Sequence, residues 1–384
     1  MKFIGFSIIG LLLGHLAFSQ TVINGKNSNP VLTAVPFLNI SPDARSGAMG
    51  DAGVALSPST FDTYWNPSKM AFLDEENHAS LSYTPWLRNI APDVNMAYLN
   101  FARRINERTA LGASINYFNQ GRVTAYDVNE VYLGAYQPNE FAIDFSVARK
   151  LSSAFSMGVT AKYIYSNIIG SSAAIAGAAG HSASALAAGV SLYYVSGMQQ
   201  FGREGKLSFG AHISDIGTKI NYYDSGKNYF LPTNLKVGVA DEFKIDELSK
   251  LTLTLDLNKL LVPTPPLQAA NGAITAGRDD DSQSIVSGIF GSFGDAPGGA
   301  SEEFKEISYA AGGEYKYDEK FAIRAGYFYE NQYKGNRRYA TFGAGYRYEN
   351  LVLDFSYLIA ADRGNPLNNT IRFTLSANFG KKRY

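Results

Sequence analysis

"KLTLTLDLNKL", residues 250–260, decides the fold. Leu251, Leu253, Leu255 and Leu257 alternate with Thr252, Thr254, Asp256 and Asn258. Successive side chains of a strand point to opposite faces. One face of this strand is therefore leucine throughout and the other is polar. The same division recurs in "EFAIDFSVARK" (140–150), "KFAIRAGYFYE" (320–330), "LVLDFSYLI" (351–359) and "NNTIRFTLSANFG" (368–380).

Fourteen such segments lie near 78–86, 93–104, 107–118, 139–150, 154–167, 185–197, 205–215, 234–243, 249–260, 304–317, 319–331, 336–349, 350–360 and 367–380. The second and sixth alternate least cleanly; "VNMAYLNFARR" is apolar on both faces. "RINE", "KLSS", "YDEK" and "YEN" make short polar turns, whereas 119–138, 168–185, 216–233, 261–303 and 361–367 are longer connections. Short turns at one end and long loops at the other are the habit of outer-membrane barrels. Most segments run to about 10–13 residues, near the ~9–11 that a tilted strand needs to cross lipid, and a soluble sandwich of ~5–6-residue strands fits them less well. The expected fold is all-β: an antiparallel transmembrane β-barrel of about 14 strands with a small N-terminal plug. An even strand number puts both chain ends on the short-turn, periplasmic side.

Composition agrees with this reading. The chain has 384 residues, 34 basic and 34 acidic, so no global charge draws it to nucleic acid. It has 25 Tyr, 24 Phe and 37 Gly, and no Cys. Aromatics favour strands and form membrane-interface girdles. Lys2, the apolar run "FIGFSIIGLLLGHLAF" and Ala17-Phe18-Ser19 read as a signal peptide over 1–19.

Residues 20–77 do not alternate, and they are expected to form a plug or hatch ahead of a barrel over 78–384. Glycines at 47, 50 and 53 allow close backbone packing, and Asn66-Pro67 suits a helix start. Trp65, Met70, Phe72 and Leu73 supply a small apolar cluster. A barrel of this size encloses more space than its own side chains fill.

"ARSGAMGDAGVALSPSTFDTYWNPSKMAFL" resembles the N-terminal hatch of the FadL-like outer-membrane proteins, with Ser68 where Ala is usual. "FLNISPDARSGAMGDAGVA" and "YWNPSKMAFL" together resemble the PorV family, barrels of the type IX secretion system of Bacteroidetes. On that resemblance the plug motif comprises Gly47, Met49, Gly50, Asp51, Gly53, Trp65, Asn66 and Pro67. The resemblance implies a non-enzymatic shuttle in the outer membrane. Its implied partners are membrane lipid, the type IX translocon barrel, the C-terminal signal domains of cargo, and an attachment complex with a sortase. It implies no nucleic acid and no cofactor. FadL-like transport of hydrophobic small molecules is the alternative. A lipid A deacylase is a third reading, and it lacks an assignable nucleophile and base.

The residues themselves offer little catalytic chemistry. His78, His181 and His212 lack metal-ligand spacing, and no Gly-x-Ser-x-Gly elbow occurs. Asp279-Asp280-Asp281 reads as a solvated loop rather than a calcium site. No cofactor or metal site is expected. Asp144, Lys162, Asp256, Glu314, Arg324, Asp354 and Arg372 fall on the inward face, where a polar lumen network that bonds to the plug is expected. The longest loop carries Ile285, Val286, Ile289, Phe290 and Phe293, too apolar for a purely solvated segment. These residues and the Ala-rich stretch 168–189 are expected to contact protein partners.

Overall fold

The computed structural model describes residues 22–382, apart from 24–25, 89, 127–128, 170–179, 201, 224–225, 270, 272, 280–281 and 363. The leader read over 1–19 and the acidic pair Asp280 and Asp281 lie outside the described residues. Among these residues, fourteen strands form one closed antiparallel barrel. In chain order they are β1 Glu75–Pro85, β2 Asn95–Arg104, β3 Thr109–Asn119, β4 Asn139–Lys150 and β5 Phe155–Asn167. Then come β6 Ala183–Gln200, β7 Arg203–Gly217, β8 Asn234–Lys244, β9 Ser249–Leu260 and β10 Ser308–Tyr317. The wall is completed by β11 Phe321–Tyr329, β12 Arg338–Tyr348, β13 Leu351–Ala360 and β14 Thr370–Lys382. Each strand pairs with the next, and β14 returns to β1 with Phe373 opposite Tyr83 and Leu375 opposite Leu81. Closure gives every wall strand two hydrogen-bonded neighbours, which the hydrocarbon of a bilayer requires.

All fourteen expected segments are strands, and their faces divide as the alternation demands. Leu253, Leu255 and Leu257 are exposed on β9, while Thr252, Thr254 and Asp256 are buried. On β14, Phe373 and Leu375 face outward, and Arg372, Thr374 and Ser376 are buried. The polar face is thus the inner one, the inverse of a water-soluble protein. No helix among the described residues is long and apolar enough to cross a membrane. The strands do the crossing.

The structure departs from the sequence reading at three places. β1 starts at Glu75, so the wall takes in residues read as the end of the plug. Of the Ala-rich stretch read as loop over 168–189, residues 170–179 lie outside the described residues; from Ala183 onward it is strand, and its inward Ala183, Ala185 and Ala187 are buried. Small side chains there let the apolar segment around Leu38 and Ile220 pack against the wall. The loop read over 119–138 contains a hairpin, Val123–Tyr126 paired with Tyr132–Tyr136.

Residues 34–73 fill the lumen. Phe37, Ala44, Met49, Val54, Trp65 and Met70 are all buried there, among short helical turns. Two of these turns matter below: α1, Ala44–Gly47, and α2, Asp62–Trp65.

Candidate functional site

The lumen is stoppered by contacts that start from glycine. Gly50 has φ of +72°, a conformation that L side chains rarely adopt. A Cβ at Gly50 would sit 2.6 Å from the backbone of Tyr327 and 2.7 Å from the Ala311 carbonyl. Here plug backbone lies directly on wall backbone, and the wall answers with its own Gly312 and Gly326 against Met49 and Gly50. Gly53 lies under the Trp65 ring, and wall Gly210 lies under Val54. Gly47 leaves room for the Arg372 guanidinium.

Polar anchors fix the stopper around these contacts. Asp43 caps α1 by accepting from Ser46 N at 2.8 Å, and its other oxygen accepts from Trp65 Nε1 at 2.6 Å. Burial pushes the Asp43 carboxyl above its ordinary range, against the lowering effect of these two hydrogen bonds. Asn66 caps the turn that starts at Pro67, and its Nδ2 donates to Val54 O and to Leu192 O of the wall, both at 2.9 Å. Lys69, buried, pairs with Asp62 at 2.8 Å and donates to Gly53 O at 2.8 Å. His212 meets the Trp65 carbonyl at 3.1 Å.

The seven inward residues named from sequence divide into separate groups. Glu314, Arg324 and Asp354 form one chain: Arg324 bonds Glu314 at 2.6 Å and Asp354 at 2.6 Å. Arg45 of the plug joins it, donating to both Glu314 oxygens at 3.0 and 3.2 Å. Asp144 and Lys162 stand 3.5 Å apart in a second group with Asp215, which Lys162 meets at 2.6 Å. Asp256 accepts from the backbone N–H of Gly53 at 2.7 Å and of Val54 at 2.9 Å. Arg372 faces plug Asp51 at 3.5 Å, and Asp51 accepts from Tyr339 at 2.5 Å. Sequence reading missed Asp43, Arg45, Asp62, Lys69 and Asp215. Asp215 has φ of +61°, which turns its side chain inward where strict alternation assigns it to the outside.

Among the described residues, one cavity of about 70 Å3 in the lumen is lined by Asp51, Lys236, Glu306, Arg337 and Tyr339 among others. A second, of about 20 Å3, lies beside Asp144, Lys162 and His212.

At the long-loop end, the segment between β9 and β10 folds over the mouth. Lys259 binds Glu303 at 3.1 Å and Glu306 at 2.6 Å; Lys334 binds Glu302 at 2.5 Å and Glu306 at 2.9 Å. Partial burial alone would raise the Glu302 carboxyl, but the Lys334 ammonium holds it below its ordinary range. The segment contains α3, Ile285–Gly291, capped by Ser284. Gly288 packs against Phe230 and Pro263, and Ile285 and Ile289 are half-buried. Val286, Phe290 and Phe293 are exposed, Phe290 to 76%, although the Lys259 ammonium lies over the Phe293 ring. Phe304 is also exposed, as are Tyr126, Val131 and Tyr132 of the hairpin.

A closed wall that is oily outside and polar inside, stoppered by its own N-terminal segment, defines an integral barrel of the bacterial outer membrane. The family model described as "Type IX secretion system protein PorV" matches residues 23–267, and the chain belongs to that family. No curated protein matches the chain significantly. Among solved structures, the Ralstonia pickettii toluene transporter TbuX is similar at 15% identity and TM-score 0.47, over 88% of this chain and 98% of that one. The CymD monoaromatic hydrocarbon channel is similar at 12% identity and TM-score 0.49, over 92% of this chain and 100% of that one. A Pseudomonas aeruginosa FadL homologue is similar at 13% identity and TM-score 0.44, over 92% and 99%.

Proposed function

We propose that this barrel works as a non-enzymatic shuttle within type IX secretion. It binds the translocon barrel, takes up cargo through the cargo's C-terminal signal domain, and delivers it to a surface attachment complex with a sortase. In this reading residues 20–77 are the plug and 78–384 the barrel, and the plug motif and lumen ion pairs keep the lumen shut.

The observation that carries the reading is the contrast at the long-loop mouth. Val286 and Phe290 are exposed on α3, which Gly288 seats against Phe230 and Pro263, in the same connection whose Glu303 and Glu306 pair with Lys259 and Lys334. Large apolar side chains held outward on an anchored scaffold suit protein contact. A shuttle also needs no open path through its own wall, and the plug packs against wall backbone at Gly50 and Gly326.

Deleting 284–294 tests the proposal. The expected result is a barrel that still migrates as a heat-modifiable band but no longer co-purifies with the translocon or hands over cargo. Unchanged secretion and unchanged co-purification in that deletion would reject the assignment of the mouth.

A further inference from the structure

The outer wall carries a groove that neither the plug nor the mouth uses. Its volume is about 620 Å3, and its lining is apolar side chains and strand backbone. Strand register explains its shape. Two outward rows cross β11, β12, β13, β14 and β1 in step. One runs from Ile323 through Ala344 and Phe373 to Tyr83; the other runs from Phe321 through Leu353 to Leu81. Between them lies an inward-pointing row that includes Ala322 and Gly345, so the floor offers only backbone to the outside. Ala344 is the low point of the first row, with Ile323 and Phe355 opposite it on either side.

The dimensions match one lipid chain. Five adjacent strands span four spacings of ~4.8 Å, or roughly 19 Å. Rows of paired residues run perpendicular to the strands, so on strands tilted by ~40° a row of that length climbs by roughly 12 Å. That height is most of one leaflet of a ~30 Å hydrocarbon core. Its lower end lies at the short turns, where Phe321 and Tyr346 close the second row.

We propose that this groove holds one acyl chain of a phospholipid from the leaflet that meets the short turns. The wall's contact with hydrocarbon is continuous with the groove, so lipid is the occupant that the membrane itself supplies.

The test uses the full barrel in liposomes containing phosphatidylethanolamine with a diazirine on its acyl chain. After photolysis, adducts are mapped by peptide mass spectrometry. Labelling is expected to concentrate several-fold on 321–329, 338–348 and 351–360 relative to β5. Ala344→Phe, which fills the groove, should remove that excess. Ala161→Phe, an exposed alanine on β5, should leave it intact. Labelling spread evenly around the wall, or an excess that survives Ala344→Phe, would overturn the proposal. The wild-type map decides the matter even if Ala344→Phe fails to give a heat-modifiable band. The same photolipid in native outer membranes separates a protein occupant. Protection of 338–360 there, with strong labelling in liposomes, would mean that another membrane protein fills the groove, and it would equally overturn the lipid assignment.

Discussion

The plug interface and the long-loop mouth are built from opposite materials. At the plug, apposed glycines remove side chains so that backbone meets backbone, and the charges around them are buried and paired: Arg45 with Glu314, Lys69 with Asp62. At the mouth, charges pair beneath the surface through Lys259 and Lys334, and the large apolar side chains of Phe290 and Phe304 are left outside. The charged side chains of the first interface find their partners within the chain, Asp51 with Arg372 among them. The second keeps its aromatic surface unspent. The difference teaches which region carries stability and which carries contact, and it is open to measurement because the two differ in what a substitution leaves behind.

The largest effect is expected at Glu314. Its removal as Glu314→Ala leaves Arg45 on the plug without a carboxylate and Arg324 on the wall with Asp354 alone. Breaking a buried pair by deleting one partner costs about 3–5 kcal/mol. Urea unfolding of the barrel in lipid should show that loss, and limited proteolysis should cut the plug before the wall. A cost below ~1 kcal/mol would mean that the lumen is wet enough to solvate both arginines, and the contrast with the mouth would weaken. Gly50→Ala comes next. It adds a methyl group against the backbone of Tyr327 at a residue with φ of +72°, and overpacking of this kind costs about 1–3 kcal/mol. Equal stability of this variant and the wild type would show that the plug can retreat from the wall.

How much of this was legible in sequence depended on the period. Strands whose two faces meet different solvents were readable, and β9 with its leucine row is the clearest. β2 was harder because its inward Met96, Tyr98 and Ala102 are also apolar, packed against the plug or the loops rather than facing water. Tyr98 lies against Phe61 and bonds Thr63 at 3.0 Å. Asp215 escaped because one left-handed residue breaks the alternation that would have located it. The inward wall glycines, Gly210, Gly312 and Gly326 among them, were visible only as a high glycine content. Their purpose depends on a segment more than a hundred residues away in sequence, and no local pattern encodes that. The plug's partners Asp43 and Arg45 were hidden for the same reason: a non-alternating stretch gives no rule for which side chain meets the wall. The separation of the lumen charges into groups likewise follows from the positions of Arg45, Asp51 and Asp215, not from the strands alone.

The smallest effect on stability is expected where the effect on function is proposed to be greatest. Phe290 is 76% exposed, so Phe290→Ser removes a side chain that buries almost nothing within the chain. Surface substitutions of this sort usually fall within about 0.5 kcal/mol, and thermal unfolding should not distinguish the variant from wild type. Co-purification with the translocon or transfer of cargo should nonetheless decline. Gly288→Leu sharpens the comparison, because a Cβ there already meets the Phe230 ring at 2.9 Å and Pro263 at 3.1 Å. It should unseat α3 from the mouth and lower stability locally while leaving Phe290 on the chain. If Phe290→Ser secretes normally and only Gly288→Leu fails, the position of the loop matters and its aromatic face does not. The mouth would then be a lid held by packing, built on the same terms as the plug.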